Sequence, residues 1–439
     1  MLSRLREGNP SALMRLTLQP TFILGIYLLS APSLFAQEVK PPRPAPQSVE
    51  AETTFTRIQA VQFALVHSPL LGAAQERIAA AQGNLQSAGA VPPAEVNVGP
   101  TFGGNIGLTP ILTQTLEISG KRGARSGVAR GELTATQRES EVTRLDIVRN
   151  VSQAYYTLAQ SQQAETLYRE VTEIVRRTRD SVKLQVEKGQ LPTQDLIKAE
   201  TELARAEADL LRAQTLVFTN QITLNTVMGK PISSLTLTSE PVSLVPLTSE
   251  QPALIAQALA HRPELAVAEA RVVTAQQNIR LQQSNSRPDL AVSLLQNTSV
   301  GSSDFLSPRS TGIGIGLVFP LFDTGRIRGR VRQAEAQVRE QERLRDQTRL
   351  EVQRDVGVAF AQVKVTETLI RRYEQAILPN AQDLLKKAQF GYERGGTTLL
   401  EYLEAQRTYR NTRTEYLGIL GDNARARAEL DRAVGMPYK

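Results

Sequence analysis

The chain contains no cysteine and no tryptophan, only two histidines and four methionines, and 5% aromatic residues in 439. Without cysteine there can be no disulfide, no thiolate metal site and no lipid-modified cysteine at a processed N-terminus, and the redox compartment leaves no trace. Four scattered methionines make no thioether path for soft metals. His67 and His261 each stand two residues before a proline, in matching contexts, and read as helix-start features rather than ligands or bases. Gly301, Gly312, Gly314 and Gly316 are not followed by a helix at the spacing of a dinucleotide fingerprint, and Gly120-Lys121 lacks the upstream glycine of a phosphate loop. No catalytic constellation is present, so neither an enzyme nor a cofactor is expected.

Charge and hydropathy exclude further classes. The net charge of +7 comes from arginines scattered through helical segments, not from a compact basic block. That pattern fits solvated helix faces and not a nucleic-acid surface. No stretch reaches the ~18 uninterrupted apolar residues of a membrane-spanning helix.

What is present begins with an export signal over residues 1–36. Arg4, Arg6 and Arg15 precede the apolar core Thr21 to Ser30, with Ala36 as the residue before cleavage. Residues 37–54 are polar and proline-rich and read as an extended leader.

The mature chain is an internal duplication. Ala64-Leu65-Val66-His67-Ser68-Pro69 matches Ala258-Leu259-Ala260-His261-Arg262-Pro263. Arg125, Arg149 and Tyr155 find Arg330, Arg354 and Phe360, and Leu224 to Pro231 meets Leu430 to Pro437. The first copy covers residues 55–231 and the second 253–437, joined by a Ser-, Thr- and Pro-rich connector over 232–252. Each copy predicts a helix (57–89, 253–286) interrupted early by its proline, two strands, a very long helix (122–188, 327–393), a tight turn and a returning helix (194–228, 399–434). About 67 residues at ~1.5 Å each make a rod near 100 Å, too long for a globular core. Apolar positions at alternating threes and fours, such as Val352, Val356, Ala359 and Val363, suit coiled-coil packing. Pro379 falls inside the second rod and should kink it.

The strands alternate. Ile313, Ile315, Leu317, Phe319 and Leu321 share one face, with Gly312, Gly314 and Gly316 on the other; Leu290, Val292 and Leu294 repeat the pattern, and Val96, Val98, Phe102, Leu112, Leu116 and Ile118 follow it less cleanly. Four strands cannot close a barrel, which needs about eight. Open strand edges cannot sit in lipid. Either several chains pool their strands across a membrane, or the strands form a small soluble sheet capping a helical rod.

Several stretches resemble the TolC-type outer-membrane efflux proteins over nearly the whole mature chain. They are Ile377-Leu378-Pro379-Asn380-Ala381, Tyr392-Glu393-Arg394-Gly395-Gly396-Thr397-Thr398 with the following Leu399 to Ala405, the weaker Glu187 to Leu196, and the junctions Gln114 to Arg122 and Phe319 to Gly325. The resemblance implies a mainly α fold with a small β part: a long antiparallel α-helical coiled-coil barrel plus a transmembrane β-barrel pooled from three chains, four strands each. It implies a homotrimer in outer-membrane lipid with a long periplasmic part, working with a periplasmic adaptor protein and an inner-membrane pump. Adaptor contact is expected at the turns around Gly189, Leu191, Gly395, Gly396 and Thr398. Asp195, Glu401 and Glu404 are expected to ring the narrow end of the lumen; solvated helix faces are the plainer alternative. The basic residue that locks the tip in the family's best-known type falls at Thr397, which puts that lock in doubt. The junction Glu117-Ile118-Ser119-Gly120-Lys121-Arg122 resembles the heavy-metal-efflux branch. The alternatives are the duct of a type I protein secretion system and, in another class, a structural periplasmic coiled-coil protein.

Overall fold

The computed structural model describes residues 56–101, 107–229, 242, 244, 246–299, 310–318 and 324–436. The export signal and leader lie outside them, as do Phe102, Phe319 and Leu321. The duplication reappears element by element. The first copy runs α1 (Arg57–His67), α2 (Pro69–Gly89), β1 (Glu95–Thr101), β2 (Gly107–Leu116), α3 (Lys121–Glu187) and α4 (Thr193–Val227). The second runs α5 (Gln251–His261), α6 (Pro263–Ser284), β3 (Asp289–Ser299), β4 (Ser310–Val318), α7 (Arg326–Arg372), a π-helical turn (Tyr373–Ile377), α8 (Leu378–Glu393) and α9 (Leu399–Val434). Among the described residues no helix is long and apolar enough to cross a membrane.

The early prolines divide the first helix of each copy. Ser68 and Arg262, each just before a proline, hold extended backbone (ψ 122° and 121°), because the proline ring disfavours the helical region for its predecessor. His67 and His261 end α1 and α5, each ring bonded 3.0 Å from the carbonyl four residues back. The two copies also bury equivalent cores. Ala60, Val61 and Ala64 of α1 pack on Val151, Tyr155 and Leu158 of α3 and on Leu224 of α4. Leu254 and Ala258 of α5 pack on Val356, Ala359 and Val363 of α7 and on Leu430 of α9.

α3 is continuous for 67 residues, about 100 Å. The second rod is interrupted where Pro379 predicts a kink, and the disturbance takes a specific form. Pro379 has no N–H and its ring crowds the preceding turn. The ladder widens ahead of it: the Leu378 N–H donates to Tyr373 O, five residues back.

The four strands make one antiparallel sheet in the order β1-β2-β3-β4, leaving β1 and β4 as open edges. Its register sets Val96 beside Leu112, Leu112 beside Leu294 and Leu294 beside Ile313, with Leu116, Leu290 and Leu317 as a second row. Directly opposed residues share a face, so one face is an apolar band across all four strands. Ile313 and Ile315 are 77% and 74% exposed on it, uncovered by the other described residues. The other face carries Glu95, Asn97, Thr113, Thr115 and Ser293 with Gly312, Gly314 and Gly316.

Candidate tip and lumen site

The rods end in two turns built alike. After α3, Gly189 takes φ +73°; its N–H donates to Val186 O at 2.9 Å and that of Gln190 to Gln185 O at 2.8 Å. After α8, Gly395 takes φ +75°, and the Gly396 N–H donates to Gly391 O at 2.8 Å. This is the Schellman closure, which needs a left-handed residue just past the helix and so favours glycine. The returning helices start differently. Pro192 precedes α4 without a side-chain cap. Thr398 caps α9 in a reciprocal box: its hydroxyl accepts from the Glu401 N–H at 3.3 Å, and the Glu401 carboxylate accepts from the Thr398 N–H at 2.9 Å.

One apolar cluster binds the two turns into a single tip. Val182 of α3, Ala199 of α4, and Leu399 and Leu403 of α9 are buried together, with Leu191, Leu196 and Tyr392 partly buried against them. Tyr392 stacks on Tyr402 with centroids 5.3 Å apart. Burial, then the nearby Asp195 charge, pushes the Tyr392 hydroxyl above its usual range. That hydroxyl is buried with no hydrogen-bond partner among the described residues. At Thr397, where a basic lock would fall, the side chain instead sits over Gly391, whose missing Cβ makes room for it.

The three acids hold different positions. Glu401 and Glu404 are exposed one helical turn apart on α9. Glu401 is engaged in the cap, at a helix end where negative charge is favoured. Asp195 is half-buried in the first turn of α4 and paired with Lys198 at 3.0 Å. All three lie within the first turns of the returning helices.

Above the tip, ion pairs strap α4 to α9, and sequence reasoning missed them. Glu202 of α4 is buried (side chain 4% exposed) and held bidentately by Arg407 of α9, with Arg205 alongside. The Arg407 hydrogen bond, outweighing burial, holds the Glu202 carboxyl below its usual range, and Arg407 is correspondingly raised. Arg410 reaches Asp209 at 3.5 Å, and Arg176 of α3 reaches Glu207 at 3.1 Å. Glu202 and Arg407, and Asp209 and Arg410, lie in opposite copies, and Arg176 and Glu207 on separate helices of the first copy, so no local spacing reveals them. Among the described residues no group of acids and histidines is arranged to hold a metal ion.

Comparison with known proteins places this architecture. CusC superposes with a TM-score of 0.73 at 19% identity, covering 90% of this chain and 98% of that one. VceC of Vibrio cholerae superposes with a TM-score of 0.72 at 23% identity, covering 86% and 96%. These likenesses establish the fold, that of a TolC-type helical-barrel channel. In sequence, the cobalt-zinc-cadmium resistance protein CzcC of Cupriavidus metallidurans is 25% identical over 391 residues, 88% of this chain and 91% of that protein. CyaE of Bordetella pertussis is 26% identical over 356 residues, 76% of this chain and 75% of that protein. Residues 60–230 and 254–436 match the outer membrane efflux protein family, one match for each copy. With both halves matched and the fold shared, the chain belongs to the outer membrane efflux protein family and is an outer-membrane efflux channel of the Gram-negative envelope.

Proposed function

We propose that three copies of the chain close one duct, which carries small solutes passively from the periplasm to the exterior. The observation that carries this reading is the open four-stranded sheet with an uncovered apolar face, set on helical rods of about 100 Å. Such a sheet cannot stand in lipid with free edges, so its strands must be pooled. The polar face, with its three β4 glycines, then lines the lumen. The tip, around Gly189, Leu191, Gly395, Gly396 and Thr398, meets a periplasmic adaptor joined to an inner-membrane pump. Glu401 and Glu404 form two acidic rings at the narrow end and Asp195 supplies a third charge near them. Rings of carboxylates favour cations.

Transition-metal cations are the solute class best supported. The support is the similarity to CzcC over nearly the whole chain and the Glu117 to Arg122 junction. The test is growth on graded cobalt, zinc and cadmium of a strain lacking the gene, with and without the gene restored. Restored metal tolerance is expected; unchanged metal tolerance with altered tolerance to organic toxins overturns the metal reading. Gly395→Trp should abolish efflux with membrane insertion intact, because a side chain at positive φ costs about 1–2 kcal/mol and reshapes the turn. Normal efflux in that variant removes the turn from the adaptor contact.

A further inference from the structure

The duplication carries information about a contact that one protomer cannot make. Inside the protomer, the seam between the two copies is β2 against β3. It is locked at its periplasmic end: Lys121, the first residue of α3, pairs with Asp289, the first residue of β3, at 2.6 Å, and both are largely buried. The counterparts of these residues follow from spacing alone. Glu95 stands as far beyond His67 as Asp289 does beyond His261. Arg326 stands as far before Arg354 as Lys121 does before Arg149. Glu95 therefore opens β1, and Arg326 opens α7 just beyond β4, on the two free edges of the sheet. Both are exposed, and neither has a charged partner among the described residues.

Six further pairs of counterparts show the same asymmetry, packed between the copies and exposed at the outer edges. α6 lies between α3 and α7, with Val267 and Ala270 buried; the matching Ala73 and Glu76 of α2 are exposed. α3 admits Thr274 of α6 against Gly131, where a Cβ would collide; the matching residues are Ala336 on α7 and Ala80 on α2, both exposed. α9 buries Leu403 and Ala424, whereas α4 leaves the matching Ile197 and Phe218 59% and 62% exposed.

We infer that the outer edges meet as the inner seam does, and that Arg326 of one protomer pairs with Glu95 of the next, repeating Lys121–Asp289 between subunits. This inference rests on the trimeric reading above. Copying the β2–β3 register sets Val318 opposite Gly99 of the neighbour, with the apolar face continuous across the seam. In a ring of three the pair occurs three times and, with the three internal pairs, forms a sixfold charged belt at the periplasmic rim. The occupant of the uncovered edge is thus a second copy of this chain. Strand pairing supplies the edge hydrogen bonds, and the ion pair fixes the register.

The absence of cysteine makes the test clean. Within one protomer, Glu95 and Arg326 are separated by β2 and β3, roughly 14 Å at strand spacing, so a link within the chain leaves only a monomer band. The Glu95→Cys, Arg326→Cys double variant is extracted in detergent, treated with a short bis-maleimide and run under denaturing conditions, while native mass measurement reports its assembly. A bis-maleimide is used because an Arg–Glu pair holds its Cα atoms farther apart than a disulfide spans. Covalent dimers and trimers are expected, and neither single-cysteine variant should give trimers. An intact trimer that runs only as monomers overturns the pairing and leaves the trimer standing. A native monomer overturns the trimer itself. If the double variant fails to assemble, charge reversal decides. Arg326→Glu should lower the temperature at which the trimer dissociates, and adding Glu95→Arg should recover most of the loss; no recovery overturns the pairing.

Discussion

The two long hairpins start from one template and differ at one place. In the first, α3 runs unbroken for 67 residues to its turn. In the second, α7 gives way to a π-turn before α8 continues to the same kind of turn. The span from Arg354 to Gly395 is one residue longer than that from Arg149 to Gly189, and the π-turn absorbs that residue. Around it, α9 adds a reciprocal clasp with no equivalent described in the first hairpin. Tyr373 donates to Glu415 at 2.9 Å, and Tyr416 donates to Glu374 at 2.7 Å. A one-residue insertion would otherwise rotate the whole distal arm by about 100°; widening one turn returns the arm to register, so the two tips can pack on shared Val182, Ala199, Leu399 and Leu403.

The strongest way to break the comparison is to remove a residue from the unbroken rod. Deleting Arg177 from α3, which has no widened turn to give up, should turn every side chain beyond it by about 100° and take Val182 out of the shared cluster. Efflux should be lost while the sheet and membrane insertion persist; circular dichroism and a drug- or metal-efflux assay report the two separately.

Next in size is the strap between the hairpins. Arg407→Ala leaves the buried Glu202 carboxylate without its partner and should cost about 2 kcal/mol, read as faster hydrogen exchange in the distal halves of α4 and α9. Acid should mimic it. The folded Glu202 carboxyl titrates below its unfolded value, so its contribution is complete above that unfolded value and is lost as pH falls through the lowered one. Exchange at the tip should therefore quicken below about pH 4.5 in the wild type and much less in Glu202→Gln.

The clasp is weaker. Tyr373→Phe with Tyr416→Phe removes two hydrogen bonds at about 1 kcal/mol each, which should loosen the π-turn but not the first hairpin. Burial and the Glu374 bond raise the Tyr416 hydroxyl to about 12. The bond needs the proton, so its contribution is complete below the ordinary tyrosine value and fades only as pH rises through about 12. The clasp should be insensitive to pH across the physiological range. Smallest of all, Tyr392→Phe should change stability by less than about 0.5 kcal/mol or raise it, because the hydroxyl it removes is buried without a partner among the described residues. A large loss would mean that Tyr392 is bonded in the assembly.

Much of this is legible in the sequence. The repeat, the rods and the turns follow from matched residues, periodicity and glycine, because each is governed by contacts close in sequence. The alternation Ile313, Ile315, Leu317 announced a one-faced sheet. Pro379 announced a disturbance, but the form it took depends on register between copies that no local pattern records. The Glu202–Arg407 strap was illegible because its partners sit in opposite copies, and the capping duty of Glu401 hid behind its expected place in the lumen, although Thr398-x-x-Glu401 is a capping-box spacing.

The account turns on pooled strands, and the mass of the complex extracted from the outer membrane in mild detergent tests that most directly. Three protomers per particle, with full β-structure content, is the predicted result. A stable monomer with the same β content would contradict it, since four strands with two open edges would then have to stand in the membrane alone.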